Sequence, residues 1–516
     1  DTHLLMLEDK ALSSQPIQLI RNEGFSAEWA LQQHRDALVR VFEQMDDSYL
    51  RTRCDDIDHV VSRIVNILLE QHEPQFGSLQ GQIVLAEDLT PADVILMKNQ
   101  GVAGFVTDYG GPMSHTAILA RNLGLPGVVG ARCATTCLQH GEHLLLDAEN
   151  GVVLADCDDT MLAYFESLRD AAATRTNQLR RRRAEPATTR DGQRIAIQAN
   201  IELADDVVAA RANGADGIGL YRTEFLYMNR AAPPDEEEHF AAYLSVVNGM
   251  HGQPVTIRTL DLGADKIDEQ RDHSYERNPF LGLRSIRLSL RHTDVFRTQL
   301  RAILRASHFG DLRVMFPLIS TLTEWRQARK LLWDCMDDLD REGVPINREI
   351  PVGIMVEVPA AVVMLDRFLK EVDFISIGTN DLVQYTLAVD RSNKDVASLY
   401  SAADPSVIRM IHTAVGLAER FGKPVSLCGQ MSASPLFVGL LLGLGLRSLS
   451  VPPSAIPEIK RIVRALKLSH CRQMAERALE LDSADEVEQY LRDELALVVP
   501  ASLEALGGEA KSAGNR

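Results

Sequence analysis

The run Gly110-Gly111-Pro112-Met113-Ser114-His115-Thr116 puts a histidine at the start of a helical pattern. Ser114 stands where an N-cap would stand, and residues 115–123 read as a short helix closed by Gly124. His115 then falls in the first turn, beside unpaired backbone N–H groups and the positive end of the helix dipole. Such a place disfavours imidazolium and favours an anion. A neutral imidazole there can attack phosphorus and carry the phosphoryl group. An isolated Ser-His-Thr is more often a surface histidine beside a cap, so the weight of this reading rests on the remaining chain.

A second set of chemical residues recurs at the ends of apolar runs between residues 194 and 452. Asn200 closes the first run and Arg222-Thr223-Glu224 the second. The third ends in Arg258-Thr259-Leu260-Asp261, with Lys266 and then Arg284 beyond it. Glu357 follows the fifth, Asn380-Asp381 the sixth with Arg391 further on, and Cys428-Gly429-Gln430 the seventh. One arginine at a loop start is usually a surface ion pair. Four converging with Lys266 are expected to need an anionic ligand, because otherwise they repel. Glu357 and Asp381 read as hard-oxygen ligands for Mg²⁺, which takes one or two carboxylates plus substrate oxygens. Cys428 would be inert in most cores; beside an anion site it can give and take a proton. The implied ligand is small and carries phosphate and carboxylate.

The elements that must position these residues follow from periodicity. Eight strand-like runs, at 194–201, 215–222, 254–261, 312–319, 351–358, 372–380, 424–429 and 447–452, alternate with helical segments. That alternation predicts a (β/α)8 barrel, whose chemistry sits at the C-terminal ends of its strands. Ahead of it, short runs at 82–86, 102–107, 127–130 and 143–147 alternate with helices at 91–99 and 115–123, an α/β unit carrying His115. Residues 160–186 read as a charged helix ending in Arg180-Arg181-Arg182-Arg183, a linker. Residues 1–75 read as helices. The fold class is α/β, with a C-terminal TIM barrel preceded by an α/β domain and an all-α subdomain. The expected boundaries are 1–75, 76–160, 161–190, 191–500 and a disordered tail at 501–516.

Composition narrows the function. The 516 residues predict about three domains. A net charge of −18 argues against general nucleic-acid binding. No stretch of about 18 apolar residues stands in the chain, so no membrane span is expected. Seven scattered cysteines and no visible signal peptide fit a cytoplasmic protein. Cys133 and Cys137 lack a partner pair at zinc spacing and read as ordinary residues.

The motifs GGPMSHTAILARNLGLPGVVG (110–130), GADGIGLYRTEFLYMNR (214–230), IRTLDLGADK (257–266), NPFLGLRSIR (278–287), GIMVEVPAA (353–361), DFISIGTNDLVQYTLAVDRSN (373–393) and VSLCGQM (425–431) closely resemble enzyme I of the phosphoenolpyruvate:sugar phosphotransferase system. The resemblance runs from residue 4 to about 470. It implies that His115 is phosphorylated through Nε2, and that Arg222, Arg258, Arg284, Arg391 and Asn380 bind phosphoenolpyruvate. It implies that Glu357 and Asp381 hold Mg²⁺ and that Cys428 protonates enolpyruvate to pyruvate. It further implies that the phosphocarrier protein HPr docks on residues 1–75 and that the barrel forms a homodimer.

The sequence departs from the family pattern at Pro112-Met113, where Arg-Thr is usual, and at Gln430-Met431-Ser432-Ala433-Ser434. The chain also opens at Asp1, partway into the family's helical segment, and is expected to be N-terminally incomplete. Two alternatives stand beside an active enzyme I: a catalytically impaired regulatory paralogue, and a dikinase-like enzyme, for which no nucleotide-binding domain is visible.

Overall fold

In the computed structural model the described residues are 10–43, 79–111, 115–263, 278–391 and 396–499, apart from 149, 229 and 231, with Val61, Ile64, Val65, Leu68 and Asn393. Lys266, Pro112, Met113 and Ser114 lie outside them. The chain divides into two compact units, Asp1–Cys157 and Asp158–Arg516.

In the first unit, helices Lys10–Glu23 and Ala27–Glu43 pack together across a link turned by Gly24 at φ +69°. Beyond them β1 (Ile83–Ala86), β2 (Gly104–Thr107) and β3 (Gly127–Val128) form a parallel sheet. β4 (Leu144–Asp147) and β5 (Val152–Ala155) form an antiparallel hairpin. The strand at 152–155 escapes the sequence reading: it is short, and Val152 is exposed, so it shows no buried alternation. Helix Pro91–Asn99 starts where expected, since Thr90 and Asp93 form a reciprocal capping box around Pro91. The helix predicted from residue 115 is present as His115–Asn122. Its Thr116 hydroxyl donates to the Leu89 carbonyl at 2.7 Å, and Gly124 at φ +63° turns the chain out of it.

In the second unit, helix Asp159–Arg182 starts on an Asp158 cap. Eight parallel strands follow: β6 (Ala196–Ile201), β7 (Ile218–Tyr221), β8 (Val255–Arg258), β9 (Leu312–Phe316), β10 (Val352–Val356), β11 (Phe374–Ile377), β12 (Val425–Leu427) and β13 (Ser448–Val451). They close into one barrel, with β13 pairing β6. Each lies inside one of the eight predicted runs. They read as near-continuous apolar stretches because both faces are covered, one by the outer helices and one by the barrel interior. Leu220, Met315, Met355, Phe374 and Cys428 cluster apart from the main core, where residues of β7, β9, β10 and β11 meet the residue after β12. At Gly219 a Cβ would stand 2.4 Å from the Ser450 hydroxyl, so only glycine fits there. Among the described residues no helix is long and apolar enough to cross a membrane.

Candidate active site at the barrel mouth

The C-terminal strand ends bring most of the sequence-predicted residues into one charged network. Arg258, the last residue of β8, pairs with Glu224 at 2.9 Å and with Asp261 at 2.9 Å. Asp261 also holds Arg284 at 3.0 Å, and Arg284 reaches Asp381 at 3.2 Å. Asp381 in turn meets Arg391 at 3.4 Å. The chain Glu224–Arg258–Asp261–Arg284–Asp381–Arg391 therefore alternates in sign along its whole length. Arg222 stands apart, paired with Glu202 at 2.6 Å.

This overturns one expectation. The arginines do not need an external anion to avoid repulsion, because Glu202, Glu224, Asp261 and Asp381 already neutralise them. Most of these partners were visible at the strand ends, but apart from Arg258/Asp261 the pairs bridge 10 to 97 positions and follow no local period. The Arg258/Asp261 spacing was the one local signal of neutralisation.

Burial sets the electrostatics of the network. It works against charge on Arg258, yet Glu224, Asp261 and Glu357 hold the guanidinium firmly protonated. It works equally against Asp261, whose two arginine partners keep its carboxyl below the usual range. Burial pushes Glu224 up, with Arg258 opposing.

Glu357 follows β10 and is 3 % exposed. Burial, Asp381 and Asp261 push its carboxyl well above the usual range, against Arg258 and a backbone N–H. That N–H belongs to Leu318, which donates to Oε1 at 2.6 Å from a backbone at φ +50°. A leucine held in the left-handed region is strained, and here the strain aims a donor at a buried carboxylate. Ser285, directly after Arg284, sits at φ +56°.

Asn380 and Cys428 complete the rim. The Asn380 side-chain oxygen accepts from the Gln430 N–H at 2.9 Å, and its carbonyl accepts from the Tyr400 hydroxyl at 3.0 Å. Cys428 is 3 % exposed, with its sulfur 3.6 Å from the Ile377 carbonyl. Burial pushes its thiol up, Ser376 and Arg258 pulling down and Glu357 adding to the push. The thiol therefore stays protonated at neutral pH, the state in which it can donate. Asn200 ties neighbouring strands by donating to the Cys428 and Ser450 carbonyls at 3.1 and 3.2 Å. Tyr385, which sequence reasoning passed over, places its hydroxyl 3.4 Å from Arg284.

Glu357 is the test of whether the site suits a divalent cation. Its carboxyl lies among like charges with one backbone donor, and a Cβ on Gly378 would come within 2.7 Å of its Oε2. Among the described residues no group of three or more His, Cys, Asp or Glu is assembled as a metal cage. Two buried carboxyls, of which Asp381 adds to the push on Glu357, are the hard-oxygen donor type that a Mg²⁺ ion takes from a protein. His115 belongs to the first unit, at the start of its helix.

Comparison with known proteins finds matches along most of the chain. Family models match in three segments: "PEP-utilising enzyme, PEP-binding domain" over residues 176–468, "PEP-utilising enzyme, mobile domain" over 78–151, and "PEP-utilising enzyme, N-terminal" over 1–53. A phosphoenolpyruvate-protein phosphotransferase of Bacillus sp. (strain S) is 42% identical over 496 residues, covering 96% of this chain and 86% of the relative. A protein of the same name from Cupriavidus necator is 41% identical, covering 92% and 83%, and one from Bacillus subtilis is 39% identical, covering 95% and 86%. By the extent of these matches, the chain belongs to the phosphoenolpyruvate-protein phosphotransferase family of PEP-utilising enzymes.

Proposed function

We propose that this chain moves the phosphoryl group of phosphoenolpyruvate to its own His115 and then to a histidine of the phosphocarrier protein HPr, releasing pyruvate. The observation that carries the reading is the alternating Glu224–Arg258–Asp261–Arg284–Asp381–Arg391 network at the barrel mouth. It presents guanidinium groups already fixed in place, which is what recognition of a small phosphate-and-carboxylate ligand needs.

In the first step the imidazole Nε2 of His115 forms a bond to phosphorus while the bond from phosphorus to the enol oxygen breaks. Arg222, Arg258, Arg284 and Arg391 bind the substrate's charged oxygens, with Asn380 beside them. The electron pair left on the enolate takes a proton at its methylene carbon from the Cys428 thiol, giving pyruvate. Cys428 then regains a proton from solvent. Glu357 and Asp381 would hold Mg²⁺, which when bound neutralises oxygens of the substrate. In the second step the Nε2–phosphorus bond breaks as the carrier histidine forms its own.

The same reading assigns HPr docking to the helical segment 1–75, the phosphohistidine domain to 76–160 and a linker helix to 161–190. It assigns substrate binding and homodimerisation to 191–500, in a cytoplasmic protein serving sugar uptake. Transfer requires His115 to reach the barrel mouth, so a swivelling domain suits it.

Labelled phosphoenolpyruvate with Mg²⁺ tests the proposal. Acid-labile, base-stable label on the wild type and none on His115→Ala is the expected result. A folded wild type that takes no label points to a regulatory relative, and labelling from ATP points to a dikinase.

A further inference from the structure

Beneath the arginines lies a buried polar relay that the proposed chemistry does not use. Its centre is Gln299 on helix Thr293–Ala306, which is fully buried, as are Thr223, His239 and Tyr243. The Gln299 side-chain oxygen accepts from the Leu260 N–H at 3.0 Å. Its amide nitrogen donates to the Thr223 hydroxyl at 3.1 Å and to the Tyr243 hydroxyl at 3.1 Å.

The direction of every further bond then follows. An amide NH₂ only donates, so both hydroxyls must pass their own protons onward. Thr223 donates to the Arg258 carbonyl at 3.0 Å. Tyr243 lies 3.0 Å from His239 Nδ1, which must accept and therefore carries no proton. Burial pushes the His239 imidazole down to about 4, in keeping with a neutral ring.

The relay's position gives it meaning. Thr223 directly follows Arg222, and Leu260 lies two residues beyond Arg258. These are the ends of neighbouring strands β7 and β8. The ladder between those strands is irregular between Ile218 and Tyr221, whereas β8 pairs β9 in step through Arg258 and Met315. Side-chain hydrogen bonds from Gln299 therefore join the two arginine-bearing ends just beyond the irregular stretch of the ladder.

We infer that Gln299, acting through Thr223, is a positioning residue that sets the spacing of Arg222 and Arg258 and so the affinity for the anionic substrate. The inference rests on the reading that these arginines bind phosphoenolpyruvate. Gln299 touches neither guanidinium; it fixes the backbone from which each one springs. A buried amide with all its groups satisfied also resists drift, since each bond lost leaves a desolvated donor or acceptor behind.

The test measures KM and kcat for phosphoenolpyruvate, with melting curves, on Gln299→Leu, Thr223→Val and Thr223→Ser. Gln299→Leu keeps approximate size and removes all three bonds. Thr223→Val removes one hydroxyl isosterically and stands as the readout if Gln299→Leu does not fold. Both are expected to raise KM about tenfold with kcat changed less than about threefold, because misplaced arginines weaken binding before chemistry. Thr223→Ser, which keeps the hydroxyl, is expected to restore a wild-type KM.

Lower melting temperature with unchanged KM in both Gln299→Leu and Thr223→Val overturns the inference, as does a Thr223→Ser that behaves like Thr223→Val. A wild type that takes no phosphate from phosphoenolpyruvate overturns the functional reading, and the substrate part of this inference with it. An active wild type with unaffected variants overturns this inference alone.

Discussion

Arg284→Ala separates the binding role of the arginine network from its structural role. The side chain is 11 % exposed, pairs with Asp261 and Asp381, and lies 5.7 Å over the Phe280 ring. Truncation leaves neither carboxylate alone, since Asp261 keeps Arg258 and Asp381 keeps Arg391. The cost to stability is therefore expected below the about 3–5 kcal/mol of a buried pair whose partner is orphaned. About 1–3 kcal/mol, a few degrees in melting temperature, is the expected loss.

The cost to activity is larger. Two charge-assisted hydrogen bonds to an anionic substrate contribute about 1.5–3 kcal/mol each. Their loss lowers kcat/KM by about 10² to 10⁴. Arg284→Lys keeps the charge but not the planar fork that spans Asp261 and Asp381, so it is expected to fall between. Initial rates of His115 labelling across a range of phosphoenolpyruvate concentrations, with a melting curve on each variant, provide the measurement. Arg284→Ala with kcat/KM within about threefold of wild type refutes the placement of the anion site. Loss of activity only together with collapse of the melting transition shows that the network is structural.

Replacing Cys428 by alanine is expected to slow pyruvate release while leaving phosphoenolpyruvate binding nearly intact, as read by single-turnover chemistry against a binding titration; unchanged turnover makes the cysteine structural. His239 links stability to pH. Burial lowers its folded value from 6.5 to about 4, so the unfolded chain binds the extra proton and stability falls as pH drops from about 6.5 towards 4. The loss approaches about 3 kcal/mol at the acid end, and His239→Gln is expected to flatten that part of the urea midpoint profile; identical slopes would count against it. Gly214 stands at φ +81° with the Arg183 carbonyl 2.2 Å from where a Cβ would lie, while Lys460 Nζ donates to the Arg183 and Gly214 carbonyls at 3.1 and 2.6 Å. Gly214→Ala and Lys460→Met are each expected to cost about 2 kcal/mol or more in denaturant unfolding of the full chain, and unchanged midpoints would show that this joint between the end of helix Asp159–Arg182 and the barrel is not needed.

How far the sequence could be read depended on whether a feature is local. The barrel strands were legible because each, such as Val352–Val356, is buried on both faces and stands between polar or glycine-rich turns. Helix Pro91–Asn99 was legible to its ends because Thr90, Pro91 and Asp93 write its start in adjacent residues. The hairpin partner β5 was not, since two short strands with an exposed Val152 show no pattern until they pair. At the mouth, Arg258 and Glu357 were found by their place at strand ends. Their environments were not, because Arg284 meets Asp381 across 97 positions and Gln299 meets Thr223 across 76. Pairings of that kind are set by the closed barrel and leave no trace in sequence period.

The neutralised network changes what substrate binding must involve. Arg258 and Arg284, each 11 % exposed and each held by two carboxylates, have little charge left to offer an incoming anion without giving up a partner. Arg222 and Arg391, at 35 % and 39 % exposed with one carboxylate partner apiece among the described residues, are the natural first contacts. On the proposed function, encounter is then with the two outer arginines and commitment is an exchange, in which phosphate and carboxylate oxygens take places now held by Glu224, Asp261 or Asp381. Salt screens exposed charges far more than buried ones, so added salt should weaken the encounter while leaving the inner exchange nearly unchanged. Preorganisation by internal carboxylates keeps the buried guanidinium groups in place without ligand, and it does so by making the substrate compete for them. The acidic members of the network therefore set affinity as much as the arginines do, and Asp261, shared between the two buried arginines, holds the largest part of that balance.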